Sequence, residues 1–203
     1  FIFLTGVASA AEVAYVIEDG SPLSQKIIGA FNELELSYDV VRDSEISTTD
    51  FLDYEIVIVG ENVNRRDLIP YDSVNSIFFN REIAEEVWNV IGSGTTNPVP
   101  NVRVIDAASF VFAGTTISAS NDVRIYEPFF GSRINHLTLS FGSGVRTVGV
   151  YSGNLRPMIS YSTKIVNGEE IKAFFFGAPD SAQWSGDGEQ IFKNALLWAT
   201  VGL

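Results

Sequence analysis

The sequence predicts an α/β fold: a mainly parallel sheet flanked by helices, with an additional β-rich segment at about residues 101–162. Three observations predict it. Residues 12–60 run strand, helix, strand, short turn, strand, an order that a doubly wound sheet with right-handed crossovers explains. Residues 55–60, EIVIVG, form a near-continuous apolar run of the kind found in parallel strands covered on both faces. Residues 190–200 place Ile191, Ala195 and Trp198 on one side, with Phe192, Leu196 and Ala199 alongside, a broad stripe suited to docking on a sheet.

The elements follow in order. Residues 12–18, EVAYVIE, read as the first strand. Ser21 then reads as the cap of a helix with Pro22 at its first position. That helix runs through SQKIIGAFNEL, where Leu23, Ile27, Phe31 and Leu34 recur at helical spacing. Residues 38–41 make a second strand, 48–54 a short helix or turn, 55–60 the third strand and 76–79 a fourth. Residues 81–91 suit a helix with Ile83, Val87 and Trp88 inward, and 92–100, GSGTTNPVP, read as a loop. From residue 101 the runs VRVID, SFVFAG, DVRIYE, HLTLSF, VRTVGVY and RPMISYS are strand-like, either an antiparallel extension beside the parallel core or a curled continuation of it. Asn167-Gly168 marks a hairpin turn into a buried strand at 171–177.

Composition narrows the function. The chain has 203 residues and no cysteine, which excludes disulfides, thiolate nucleophiles and cysteine-bound metal centres. Its 25 acidic against 13 basic residues give a net charge of −12, which argues against a nucleic-acid partner and against attraction to anionic membranes. Residues 1–10, FIFLTGVASA, carry an apolar run and a small-x-small Ala8-Ser9-Ala10, the pattern of a secretion signal. They read as a residual signal peptide, with 11–203 as a single domain, secreted or at the cell surface. The other reading is an apolar arm, led by Phe1, Ile2, Phe3 and Leu4, that packs on its own sheet or completes a homo-oligomer or extracellular assembly. The segment is too short to span a bilayer as a helix.

The first strand and capped helix, the lead-in from Asp53 to Gly60, and the ending Phe174-Phe175-Phe176-Gly177, Trp184, Asp187-Gly188 and Phe192-Lys193-Asn194-Ala195-Leu196-Leu197-Trp198 resemble the glutamine-amidotransferase-like superfamily. Within it they are most similar to the ThuA-like or noncatalytic branches. The resemblance covers about 12–91 and 145–200. It implies a flavodoxin-like sheet with any ligand site above the strand C-termini. The family's active members use a cysteine on a sharp strand-to-helix turn, which the resemblance places after residues 76–79. Asn80-Arg81 stand there, with no cysteine, serine or glycine-flanked elbow, so the catalytic residues do not carry over. Glutaminase chemistry through a thioester is excluded.

Other candidates lie at strand ends. Glu18 and Asp19 follow the first strand, Glu61 and Asn62 the third, and Glu127 follows the RIY run. In an open α/β sheet such edges converge on the crevice at a topological switch point. Carboxylates gathered there suit Ca²⁺ or Mg²⁺, or general acid–base work on a sugar-like substrate; the plainer reading is solvated loop residues. His136, in Asn135-His136-Leu137-Thr138, resembles the family's His-Pro-aliphatic-Thr element with Leu137 in place of proline. It reads either as a general base or as a strand-edge histidine bonded to backbone. Trp184 reads either as a crevice wall or as core. The glycines form neither a P-loop nor a dinucleotide fingerprint. The sequence therefore points first to a noncatalytic extracellular binding or assembly module. The alternative is a secreted hydrolase or carbohydrate-active protein using Glu18, Glu61 and His136.

Overall fold

The computed structural model describes residues 11–90, 92–96, 100–127, 132–138, 144–153 and 155–201. Phe1, Ile2, Phe3 and Leu4 therefore lie outside the described residues. Five strands run parallel: β1 (Val13–Ile17), β2 (Tyr38–Arg42), β3 (Ile56–Val59), β4 (Asn75–Phe78) and, far later in the chain, the strand Glu169–Phe176. Numbered in chain order, the intervening strands are β5 (Ser93–Thr96), β6 (Asn101–Val104), β7 (Asp122–Arg124), β8 (Ile134–Leu137), β9 (Val145–Tyr151) and β10 (Pro157–Val166), which makes Glu169–Phe176 β11. The main sheet has nine strands in the order β2-β1-β3-β4-β11-β10-β9-β6-β7, and β5 pairs with β8 in a separate two-stranded sheet. The β-rich segment is thus largely a continuation of the main sheet, antiparallel from β10 onward.

Period-2 alternation gives the sheet a core on each face. Val13, Tyr15 and Ile17 of β1 join Ile56, Ile58 and Ile77 beneath helices α1 (Gln25–Glu33) and α3 (Gly186–Thr200). Ala14 and Val16 turn to the other face with Val57, Val59 and Phe78, covered by α2 (Arg81–Trp88) and the turns at 43–53.

Several boundaries differ from the sequence reading, each for a local physical reason. The first helix is capped by Ser24, whose hydroxyl accepts from the Ile27 N–H at 3.4 Å, so Ser21-Pro22 belong to the preceding loop. The Ser21 hydroxyl instead donates to Glu18 at 3.2 Å. The glycine- and threonine-rich 92–96 segment is not loop: Gly94 and Thr95 pair with His136 and Asn135. The SFVFAG run is a 3-10 turn over Phe110–Phe112, because the side-chain amide of Asn194 donates to the carbonyls of Val111 and Ala113 at 3.0 and 2.8 Å, in the place a neighbouring strand would take. The DVRIYE run leaves the sheet after Arg124, and Tyr126 bridges to Trp184 instead. The strand around His136 is displaced to Ile134–Leu137, and residues 139–141 of its expected range lie outside the described residues. The expected hairpin stands as read: Asn167 and Gly168 both hold positive φ, 53° and 91°, as a two-residue primed turn requires. The final helix begins earlier than expected, at Gly186, with Ser185 accepting from the Gly188 N–H.

Candidate functional site

β1 lies between β2 and β3, so the chain reverses its direction of strand addition at β1. That reversal opens a crevice at the strand C-termini. Three adjoining clefts of about 670, 220 and 180 Å³ occupy this edge. The first two share Pro22, Ser24, Asp180 and Ser181. The second and third share Glu61, Asn62 and Arg133. They run into one another as a trench from the start of α1 to the start of α2.

A chain of side chains holds the α2 end of this trench. Glu61, just past β3, accepts from Arg133 at 2.8 Å through one oxygen and from the Asn135 amide at 3.1 Å through the other. The same Asn135 amide nitrogen donates to the Phe79 carbonyl at 2.9 Å, and its oxygen accepts from Thr95 at 2.9 Å. Thr95 in turn accepts from Arg81. Asn135 is buried and Arg133 half-exposed, so the network is fixed at its centre and open at its rim. At the other end, Ser24 accepts from the Ser181 hydroxyl at 2.7 Å as well as from Ile27, so its own hydrogen is uncommitted. Ser132 lines the same wall with a buried hydroxyl that has no hydrogen-bond partner among the described residues.

The turn between β4 and α2, where a nucleophile elbow would stand, has ordinary geometry. Asn80 sits at φ −81° and ψ 126°, an extended N-cap conformation. Its side-chain oxygen accepts from the Glu82 N–H at 2.7 Å, and its amide donates to the Glu61 carbonyl. Among the described residues no positive φ falls at 79–81. The strained turn that exposes a nucleophile is absent there, along with the thiol.

The residues expected from the sequence divide. Glu18, Glu61 and Asn62 line the trench together. Asp19 turns away and accepts from the Ser44 N–H and hydroxyl at 3.2 and 3.0 Å. Glu127 is exposed, outside the trench lining, with its N–H donated to the Gln183 carbonyl. Trp184 is fully buried, its indole N–H donated to the Ala178 carbonyl at 2.8 Å and its ring packed on Phe79, Phe176 and Phe192, so it forms core and no wall. His136 is 2% exposed and lies outside the trench lining, because strand alternation turns it away when Asn135 faces in. Its ring packs over Gly94, with Nε2 3.2 Å from Arg156. Burial first, then the charge of Arg156, pushes its pKa below the usual histidine value. Among the described residues no group of three or more histidine, aspartate or glutamate side chains stands close enough to hold a metal ion, so the carboxylates considered for Ca²⁺ or Mg²⁺ are not gathered as a ligand set.

The sequence reading missed Arg81, Thr95, Arg133, Asn135 and Asp180. A signal existed for two of them. Asp180 follows the FFFG strand end at the same sheet edge, and Asn135 alternates with His136 in a four-residue strand.

No protein-family model matches the chain, and no curated protein matches its sequence. Solved structures do match. A protein described as ThuA-like from Bacteroides uniformis superposes with a TM-score of 0.58 at 12% identity, covering 97% of this chain and 95% of that one. A protein from Thermoplasma acidophilum described as a GMP synthase subunit gives a TM-score of 0.57 at 12% identity, covering 94% and 95%. Agd3, a carbohydrate deacetylase, gives 0.55 at 15% identity; the match covers 95% of this chain and 33% of Agd3. At these identities the likeness is one of fold: a mostly parallel sheet flanked by helices, shared with these structures. Among the described residues, no helix is long and apolar enough to cross a membrane.

Proposed function

We propose that the chain is a noncatalytic binding module of amidotransferase-like fold that works outside the cell and holds its ligand in the trench at the sheet's C-terminal edge. The observation that carries this reading is the β4–α2 turn. Asn80 spends both ends of its side chain on the Glu82 N–H and the Glu61 carbonyl, in the position where covalent chemistry would need a free nucleophile. The trench retains polar groups suited to recognition, including the hydroxyls of Ser24 and Ser132. Export is supported by the signal-like run at residues 1–10. N-terminal sequencing of protein recovered from its native source checks it.

One observation favours a second reading. Glu18 and Glu61 line one cleft, as a pair of acid–base carboxylates would in a secreted hydrolase or carbohydrate-active protein. Assays on chromogenic esters and glycosides separate the two. The binding module shows no turnover that Glu18→Gln or Glu61→Gln removes, and a loss of turnover in either variant establishes the hydrolase.

A further inference from the structure

The α2 end of the trench gathers guanidinium groups in a protein that is strongly acidic overall. Arg81 and Arg133 line one cleft of about 180 Å³. Their known partners leave much of each guanidinium unspent. Arg133 gives one nitrogen to Glu61, and Arg81 gives one to Thr95 and has a loose contact of 3.8 Å with Glu82. A guanidinium carries five donors in a planar fork, so each retains several N–H groups.

The pairing is uneven. Glu82 is claimed mainly by Arg66, and Glu61 by Arg133. Asp180 accepts from the Arg133 backbone N–H at 2.6 Å, so three carboxylates stand beside the three guanidiniums of Arg66, Arg81 and Arg133, and Arg81 is the guanidinium held most loosely, 3.8 Å from Glu82. The Arg81–Thr95–Asn135–Glu61–Arg133 chain of hydrogen bonds fixes the two forks relative to each other. The start of α2 adds its dipole to the same end, although Asn80 already satisfies one of its N–H groups. A loosely paired planar fork suits a planar monoanion better than a dianion.

We propose that this cleft is a carboxylate subsite: Arg81 and Arg133 bind the carboxylate of the trench ligand, with Glu61 as the competing internal counter-ion that the ligand displaces from Arg133. The assignment rests on the trench being the binding site.

The probe is acetate, with acetamide as its neutral isostere, titrated at pH 7 and constant ionic strength into the ¹⁵N-labelled protein. Acetate shifts signals of residues 61, 81, 95 and 133 along a saturable curve, and acetamide does not. Arg81→Gln raises the acetate Kd by about tenfold or more, the worth of a charge-assisted pair. Glu61→Gln has the opposite sign and tightens acetate binding several-fold, because it removes the competing carboxylate; a structural role for Glu61 would weaken binding. Arg103→Gln, at a half-exposed arginine paired with Asp122 elsewhere, titrates like the parent. Thermal midpoints confirm that each variant is folded. Equal response to acetate and acetamide, an unchanged Kd in Arg81→Gln, or weaker binding in Glu61→Gln overturns the assignment. The hydrolysis assays above do not depend on this result, so either reading can fail alone.

Discussion

The carbonyl oxygen of Asn135 occupies the space that a β-carbon on Gly177 would need. The Asn135 N–H donates to the Gly177 carbonyl at 2.9 Å, and the Gly177 N–H donates to Met158 at 2.7 Å. This contact locks β8 onto the end of β11, and so places the Asn135 amide against Glu61. Gly177→Ala forces the two backbones apart. The expected loss is about 1–3 kcal/mol of stability, as for other overpacked sites, measured by urea denaturation. The signals of Glu61 and Arg133 should move with it; an unshifted spectrum with full stability would contradict this packing.

The cap assignment gives a paired test. Ser24→Ala removes the acceptor of the Ile27 N–H and the partner of Ser181, and should cost about 1 kcal/mol. Ser21→Ala loses a hydroxyl contact to a partly exposed carboxylate and should stay within about 0.5 kcal/mol of the parent. Denaturation midpoints that reverse this order would return the cap to Ser21.

Putting a thiol at the turn should not restore the chemistry. Asn80→Cys places sulfur on extended backbone with no histidine among the trench residues. It should release no ammonia from glutamine and alkylate with iodoacetamide no faster than an ordinary thiol. Rapid alkylation at neutral pH would show an activated site.

His136 supplies a pH dependence. Its pKa in the fold lies below the ordinary 6.5, so the unfolded chain binds the proton first as pH falls. The stability owed to the neutral ring is complete above the ordinary value and is lost progressively as pH drops through the lower folded value. His136→Asn should flatten that part of the curve in pH-dependent chemical denaturation. An identical acid limb in parent and variant would assign it to other groups.

Much of the parallel core was legible because its signal is local. β1 and β3 are apolar runs of five and four residues, and Asn167-Gly168 dictates its own turn. The departures came where a distant side chain took over a backbone need. Asn194 meets the carbonyls of Val111 and Ala113 and turns an apparent strand into a 3-10 turn. Gly94 reads as a loop glycine, yet the pressed-on ring of His136 makes glycine the residue a strand can use there. The site was half legible for the same reason. Glu18, Glu61 and Asn62 follow predictable strand ends, whereas Arg133 and Asn135 reach the trench through a two-stranded sheet whose other member looks like linker.

β11 is the strand on which two kinds of pairing meet. On one side it joins β10 through a two-residue turn; on the other it lies parallel to β4, with the Lys172 N–H donated to the Asn75 side chain across 97 residues of sequence. The hairpin side closes at small entropic cost and forms within about 1–10 μs, whereas the parallel side must wait for a long chain closure. The β9–β10–β11 meander should therefore serve as the template onto which β4, and then β3 and β1, assemble. Weakening the Asn167-Gly168 turn should slow refolding, while truncations in β1 should mainly hasten unfolding. Assembly is thus expected to run from the C-terminal half of the chain back toward its N-terminal half.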